Sequence, residues 1–231
     1  MRPAGTTRTL ALAFALVVVF APNLRAQDLS VYRQFHLGMT ATAVTAQLGV
    51  PETAAKIIHT RPLLIQELEW RPPGAASTLE SDSVRLVLLD FCNGELFRIV
   101  VTYRGERVEG LTGQDMVAAI SPAYGRPTRP AAQIIISSMS QEWTDTEQVM
   151  ARWADERFSV NLFHTSYPST FGLVIFSKRV APLARAAIDK AILIERAEAP
   201  EREAAAKKSQ EVVEAATHAK ARLANKAAFK F

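Results

Sequence analysis

The chain has 231 residues, of which 48% are hydrophobic and 22% charged, a composition typical of a folded globular protein. It carries 27 lysine and arginine residues against 23 acidic residues, which gives a formal net charge of +4. The single cysteine, Cys92, excludes an intramolecular disulfide, so the fold must depend on its hydrophobic core.

The N-terminus has the three parts of a secretory signal peptide. Arg2 and Arg8 precede an apolar run at residues 10–21, and Leu24-Arg25-Ala26 supplies the small-residue end. The apolar run is shorter than the roughly 20 residues of a membrane-spanning helix. We therefore predict cleavage after Ala26 and a mature protein in the periplasm or outside the cell, without a stable membrane span. An uncleaved anchor is the alternative.

Cleavage after Ala26 would remove three arginines and no acidic residue, leaving 24 bases against 23 acids. The positive charge of the whole chain therefore belongs partly to the targeting segment. A nucleic-acid partner requires basic residues clustered on one face of the fold, so none is predicted.

A short pattern occurs twice in the mature chain. Gly38-Met39-Thr40 begins an apolar helical stretch that ends at Gly49-Val50-Pro51. Gly110-Leu111-Thr112 begins a similar stretch that ends at Gly125-Arg126-Pro127. A tryptophan in an alternating segment and two strand-like runs follow each copy. We therefore predict two copies of one small helix-plus-sheet module.

Both helices have end signals in the sequence. Thr40 is a predicted N-cap, and Thr112 with Asp115 is a predicted capping box. Gly49 is predicted to end the first helix in a left-handed backbone conformation. The predicted buried stripes are Val44 and Leu48 in the first helix, and Met116, Val117 and Ile120 in the second.

Alternation predicts the strands of the first module. Residues 63–70 place Leu68 and Trp70 on one face and Glu67 and Glu69 on the other. Asn93-Gly94 between two β-rich runs predicts a hairpin of residues 84–91 and 96–103. In its first strand, one predicted face carries Val84, Leu86, Leu88 and Asp90, and the other carries Arg85, Val87, Leu89 and Phe91.

The second module is predicted to have strands at residues 134–136, 148–154, 158–163 and 171–176. The connection at residues 164–170 is predicted to be longer than the first hairpin turn. With a helix and three or four antiparallel strands in each copy, one continuous sheet or two facing sheets would both fit.

The composition changes to alanine, glutamate, lysine and arginine after Pro182, which suits the first turn of a helix. An apolar face at residues 183–194 predicts a helix that docks on the second module or pairs with another chain. Beyond Pro200 we expect a solvated, partly helical tail, or an arm that binds a surface or a partner.

No cluster of residues indicates catalysis, a cofactor or a metal ion. The four histidines are far apart and lack metal-ligand spacing. His164 with Ser166 and Tyr167 lies in a polar loop that could hold a site, but such loops usually only connect strands. Cys92, at the hairpin tip, is either a reactive thiol or a small residue tolerated beside a turn. We favour the second interpretation because no histidine neighbours it.

Two of the three tryptophans, Trp70 and Trp153, hold matching places in the two copies. They are interpreted as core residues, with exposed interaction anchors as the alternative. Asp28, Asp82 and Asp90 have no acidic partner at a spacing that suggests general acid–base work.

Leu37-Gly38-Met39-Thr40, then Val44, then Leu48-Gly49-Val50-Pro51, resembles the opening of the outer-membrane-assembly lipoproteins BamE (SmpA/OmlA). In that family this pattern precedes a three-stranded antiparallel sheet. The second copy resembles it more loosely, and two such modules in tandem resemble secreted β-lactamase inhibitor proteins. The resemblance bears on the fold more than on the role, and the similarity to inhibitor proteins implies loops presented to a target enzyme.

The sequence therefore predicts an α+β protein with two tandem helix-plus-antiparallel-sheet modules, a C-terminal helix and a charged helical tail. The predicted divisions are 1–26 (signal peptide), 27–107, 108–180 and 181–231. The leading hypothesis is a non-enzymatic protein that binds another envelope or secreted protein, with no catalytic, cofactor or metal residues. The alternative is a secreted enzyme inhibitor that presents loops 71–83 and 164–170.

Overall fold

The computed structural model describes residues 27–72, 82–140 and 145–230. The predicted signal peptide and most of loop 71–83 lie outside the described residues. The strands are β1 (Val31–Tyr32), β2 (Phe35–His36), β3 (Lys56–His59), β4 (Ile65–Trp70), β5 (Val84–Cys92), β6 (Glu95–Tyr103), β7 (Gln133–Ile135), β8 (Thr146–Ala154), β9 (Phe158–Ser166) and β10 (Ser169–Ser177). The helices are α1 (Ala41–Leu48), α2 (Gly105–Val108), α3 (Gly113–Tyr124) and α4 (Ala181–Ala228).

Eight of the described strands form one antiparallel sheet in the order β3-β4-β5-β6-β10-β9-β8-β7. The strands of residues 56–103 form one half, and those of residues 133–177 form the other. The halves meet where β6 pairs with β10, for example at Val100 opposite Val174. The protein is thus an α+β fold with one continuous sheet, followed by a long C-terminal helix.

One face of the sheet, called here the inner face, is covered by α1, α3 and the segment that contains β1 and β2. Val44 of α1 and Met116 and Ile120 of α3 are buried in the same core as Trp153 and Ile99 of the strands. The end signals of both helices are confirmed. Thr40 accepts a hydrogen bond from the Ala43 amide, and Gly49 has a φ of 67°.

The capping box of α3 is also confirmed. The Asp115 amide donates to the Thr112 hydroxyl, while the Asp115 carboxylate accepts from the Thr112 amide at 2.7 Å. Two end amides of the helix are thereby satisfied, and α3 begins where the sequence predicts it.

The first hairpin turn is confirmed, because Asn93 and Gly94 have φ values of 50° and 79°. The predicted faces of β5 need one correction. The pairing of β5 with β6 shifts register between Val84 and Leu86. Val84 therefore joins the inner-face core, whereas strict alternation predicted it beside Leu86.

The second hairpin differs from its prediction. β9 extends to Ser166 and β10 begins at Ser169, so only Tyr167 and Pro168 separate the two strands. The expectation of a long connection at residues 164–170 was wrong, since polar residues at a hairpin tip can still pair through their backbones.

The opposite face of the sheet, the outer face, is covered by the beginning of α4 and by residues 133–140, called here the strap. The strap begins as β7, beside β8 at the edge of the sheet, and then crosses the outer face. Its Met139 reaches the cluster around α4. α4 packs mainly on strands of the first half, not on the second module as predicted. Its buried partners are Ile65, Cys92 and Phe97.

α4 continues through Pro200 as one helix of 48 residues. The sequence predicted a helix at residues 183–194 and a partly helical tail, and the structure joins the two. Alanine, glutamate and lysine favour helix strongly enough to outweigh one interior proline. Among the described residues, no helix combines the length and hydropathy needed to cross a membrane.

Candidate functional site

The histidines do not converge on a site. His59 bonds to Glu195, His164 contacts the Ser169 hydroxyl at 3.2 Å, and His36 and His218 are exposed elsewhere. Within the described ranges, no group of three or more histidine, cysteine or acidic side chains could hold a metal ion. The β9–β10 hairpin therefore offers a hydroxyl and an imidazole on its paired strands, and among the described residues no carboxylate bond orients the imidazole.

Cys92 is buried in the cluster between α4 and the outer face. Burial raises the pKa of its thiol above the ordinary value, which disfavours the reactive thiolate. The placement supports the interpretation of Cys92 as a small apolar residue rather than a reactive thiol.

Trp70 and Trp153 both pack on the inner-face core. Trp153 is only 1% exposed, and its indole nitrogen donates to the Gly125 carbonyl at 2.7 Å. Trp70 is half-buried and meets Phe35 edge to face, with ring centroids 5.3 Å apart. These contacts confirm the core interpretation. The two residues lie on β4 and β8, each the second strand from its edge of the sheet.

A buried polar cluster lies under the strap on the outer face. The Ser138 hydroxyl and the Met139 amide donate to the Glu67 carboxylate at 2.6 and 2.7 Å. Arg98 donates from Nη2 to the Ser137 carbonyl at 2.7 Å. These bonds hold the strap to β4 and β6. Glu67 is therefore a buried anchor, where alternation alone suggested a polar outward face.

Arg98 also forms an ion pair with Asp90, its cross-strand neighbour, at 2.5 Å. Burial, with Glu67 beside it, raises the pKa of Asp90 to about 6, although Arg98 acts in the opposite direction. The second carboxylate oxygen of Asp90 is buried without a hydrogen-bond partner. This oxygen is removed from water and gains no hydrogen bond in return. The ionised form of Asp90, which predominates at neutral pH, therefore costs free energy in the folded state.

A cavity of about 230 Å³ lies between the strap, the outer face and the beginning of α4. Its walls are mainly apolar and include Ile134, Val174 and Phe176. Arg98 and Arg185 also line it. Arg98 is buried and Arg185 is exposed, so we take the Arg185 side as the mouth of the cavity.

The middle of α4 is fastened to the β3–β4 hairpin by two side-chain contacts, a hydrogen bond and an ion pair. Glu195 meets His59 and Glu198 meets Arg61, each at 2.8 Å. Beyond Pro200 every described residue of α4 is exposed. We call residues 201–228 the arm; at about 1.5 Å per residue it extends about 40 Å from the body.

The arm has one sparse apolar face. Val212, Ala216, Ala219 and Leu223 are spaced by four, three and four residues and therefore share one side of the helix. Val212 and Leu223 are 64% and 72% exposed. Four bases and no acid occupy residues 215–230, so the distal arm is cationic.

Sequence reasoning missed the buried cluster, although it left a signal. Asp90 and Arg98 each interrupt an apolar run, and a register shift between Asp90 and Phe91 brings the two opposite each other in the structure. The part played by Ser137 and Ser138 had no such signal, because they come from a segment about 40 to 70 residues away.

Comparisons of the chain with protein-family models, curated proteins and solved structures gave no match. The proposals that follow therefore depend on the residues and geometry of this chain.

Proposed function

We propose that this chain is an exported, non-enzymatic protein that binds another protein of the cell envelope through the arm of α4. The proposed export depends on the signal-peptide pattern that ends near Ala26. The main support for binding is that the body covers both faces of its sheet, while every described residue of the arm is exposed. In proteins most helical stability comes from packing of an apolar face, and the exposed arm packs no such face on the body, so a partner would supply that packing.

We further propose that the body consists of two BamE-like modules in tandem. In each half a capped helix precedes four strands, and the last strands of the two halves, β6 and β10, pair at the centre. Trp70 and Trp153 lie on corresponding strands, and α1 and α3 cover the same face. Duplication of one ancestral unit would explain why the two halves correspond.

The chemistry of the arm specifies the kind of partner. Anchors at positions i, i+4, i+7 and i+11 suit a helix that lies in an apolar groove of another protein. Two of the four anchors are alanines, which permit close approach of a partner backbone. A membrane surface would instead favour bulky aromatic and leucine residues on this face. The bases of the distal arm suit an acidic rim around the groove.

A face-specific variant tests the arm. Val212→Asp with Leu223→Asp places two charges on the apolar face. We expect it to reduce capture of a specific partner from envelope extract by about tenfold or more, since about 1.4 kcal/mol corresponds to tenfold. Capture is measured by cross-linking followed by quantitative mass spectrometry.

The matched control is Gln210→Asp with Ala221→Asp. Each control position lies two residues before a test position, about 200° around the helix, and the charge change is identical. The control should bind like wild type. Equal capture by both variants, or equal loss in both, would contradict the proposed face. Wild-type sedimentation with anionic vesicles, lost only in the test variant, would favour a membrane surface instead.

One observation favours a second candidate, a secreted enzyme inhibitor. Tyr167 is 99% exposed at the tip of the β9–β10 hairpin, and tyrosine is common among residues that dominate binding energy. This candidate predicts dose-dependent inhibition of a secreted hydrolase. Tyr167→Ala should weaken that inhibition by about tenfold or more, while the neighbouring Ser166→Ala should not. An unaffected panel of hydrolases would rule it out.

A further inference from the structure

The cavity under the strap is larger than ordinary packing leaves. Protein interiors are packed as densely as organic crystals, and voids larger than a water molecule are few. This cavity measures about 230 Å³, whereas an apolar cavity of about 150 Å³ is already enough to bind benzene. It is therefore large enough for a small organic ligand.

The lining determines which ligand chemistry fits. Ile134, Val174, Phe176 and Ile188 offer no hydrogen bonds to a polar ligand body from their side chains. An apolar interior favours an apolar occupant, because removing apolar surface from water is the main driving force. Since a cavity of about 150 Å³ holds the ring of benzene, about 230 Å³ suits a body of about eight carbon atoms.

The mouth carries an exposed charge. Arg185, on the first turns of α4, lines the cavity and pairs with Asp189 at 3.2 Å. Both members of that pair are largely exposed, where ion pairs contribute little. A carboxylate at the mouth can therefore compete with Asp189 for the guanidinium group, which matches carboxylate geometry.

Arg98, at the buried end of the cavity, is not available to a ligand in the same way as Arg185. Its guanidinium is already bonded to Asp90 and to the Ser137 carbonyl. Asp90 and Glu67 beside it disfavour a second anion at that end of the cavity. The head group of an anionic ligand therefore belongs at Arg185, with its apolar body directed inward.

We propose that the cavity between the strap, the outer face and α4 binds a small amphiphilic carboxylate. The ligand has an apolar body of about eight carbon atoms, consistent with the cavity volume, and its carboxylate contacts Arg185. This site is separate from the arm. The ligand would bridge the strap, the sheet and α4, so its binding would stabilise the base from which the arm projects.

The test uses the full mature chain with octanoate, octan-1-ol and succinate, each titrated by isothermal calorimetry. Octanoate should bind saturably with one site, and octanol more weakly because it lacks the charge. Succinate, which has carboxylates but no apolar body, should not bind. Absence of saturable octanoate binding would overturn the proposal.

Two variants fill the cavity from opposite walls. Val174→Phe extends a side chain from the sheet, and Ala181→Leu extends one from α4. Either variant, if folded by circular dichroism, should weaken both octanoate and octanol by about tenfold or more, the factor for about 1.4 kcal/mol. Should Val174→Phe fail to fold, Ala181→Leu supplies the same test. A folded filling variant that binds like wild type would contradict the assigned cavity.

The charge at the mouth is tested separately. Arg185→Gln should weaken octanoate by about tenfold and leave octanol within about twofold. Lys190→Gln makes the same charge change on α4 outside the cavity lining and should alter neither ligand. Equal effects of Arg185→Gln on the acid and the alcohol would contradict the contact between the carboxylate and Arg185.

Discussion

Replacement of Arg98 by methionine is expected to lower the free energy of unfolding by about 3–5 kcal/mol at pH 7. The variant would leave the carboxylate of Asp90 buried, with Glu67 beside it and no cation to offset the charge. It would also remove the Arg98 bond to the strap. The loss is a large part of the roughly 5–15 kcal/mol by which native proteins are stable. Urea denaturation of the mature chain measures it.

The double variant Asp90→Leu with Arg98→Met separates charge from packing. Replacing a whole buried ion pair by apolar residues of similar volume is often neutral or stabilising. We therefore expect the double variant to recover most of the lost stability. Two independent, additive losses would contradict the account of Asp90 and Arg98 as one electrostatic unit.

The same cluster predicts a pH dependence with a definite sign. The folded-state pKa of Asp90 is raised from 3.8 to about 6. Its contribution to stability is therefore complete below about pH 4 and is lost as the pH rises through about 6. Because other carboxyl groups also titrate, the quantity to measure is the difference from Asp90→Asn. That difference should move by roughly 2 kcal/mol in favour of Asp90→Asn between pH 4 and pH 7.5.

Removal of the Trp153 ring should lower the free energy of unfolding by about as much as Arg98→Met does. Trp153→Ala is expected to cost about 3–5 kcal/mol, because it leaves a cavity in the inner-face core. It also leaves the Gly125 carbonyl without the indole donor. Trp153→Phe keeps an aromatic ring and should cost less. Urea denaturation, followed by fluorescence and circular dichroism together, compares the three proteins.

The same experiment tests whether the halves fold as one unit. The sheet is continuous through β6 and β10, and α1 and α3 share one core. Both probes should therefore report one coincident transition in wild type and in Trp153→Phe. A separate early transition of the second half alone would contradict a shared core.

The features that the sequence predicted well are local. The caps at Thr40, Gly49 and Thr112 and the Asn93-Gly94 turn depend on residues within about four positions of one another. The presence of one sheet rather than two could not be decided, because the pairing of β6 with β10 joins residues about 75 positions apart.

The features that it missed depend on distant segments. Glu67 lies in an alternating strand and resembles an exposed residue until Ser138 covers it from 71 positions away. The side on which α4 docks is decided by Ile65, Cys92 and Phe97, which belong to the first half of the chain. The cavity was missed for the same reason, since its walls come from the strap, the sheet and α4. The bulge at Val84 shows that alternation also fails where one residue shifts register.

Hydrogen–deuterium exchange along α4, with and without the captured partner, tests the central claim most directly. The account predicts slow exchange at residues 184–191 in both samples, because they are packed on the outer face. Residues 205–225 should exchange rapidly in the isolated chain and become protected only with the partner. Unchanged exchange of residues 205–225 in the complex would contradict the claim that the arm is the binding surface.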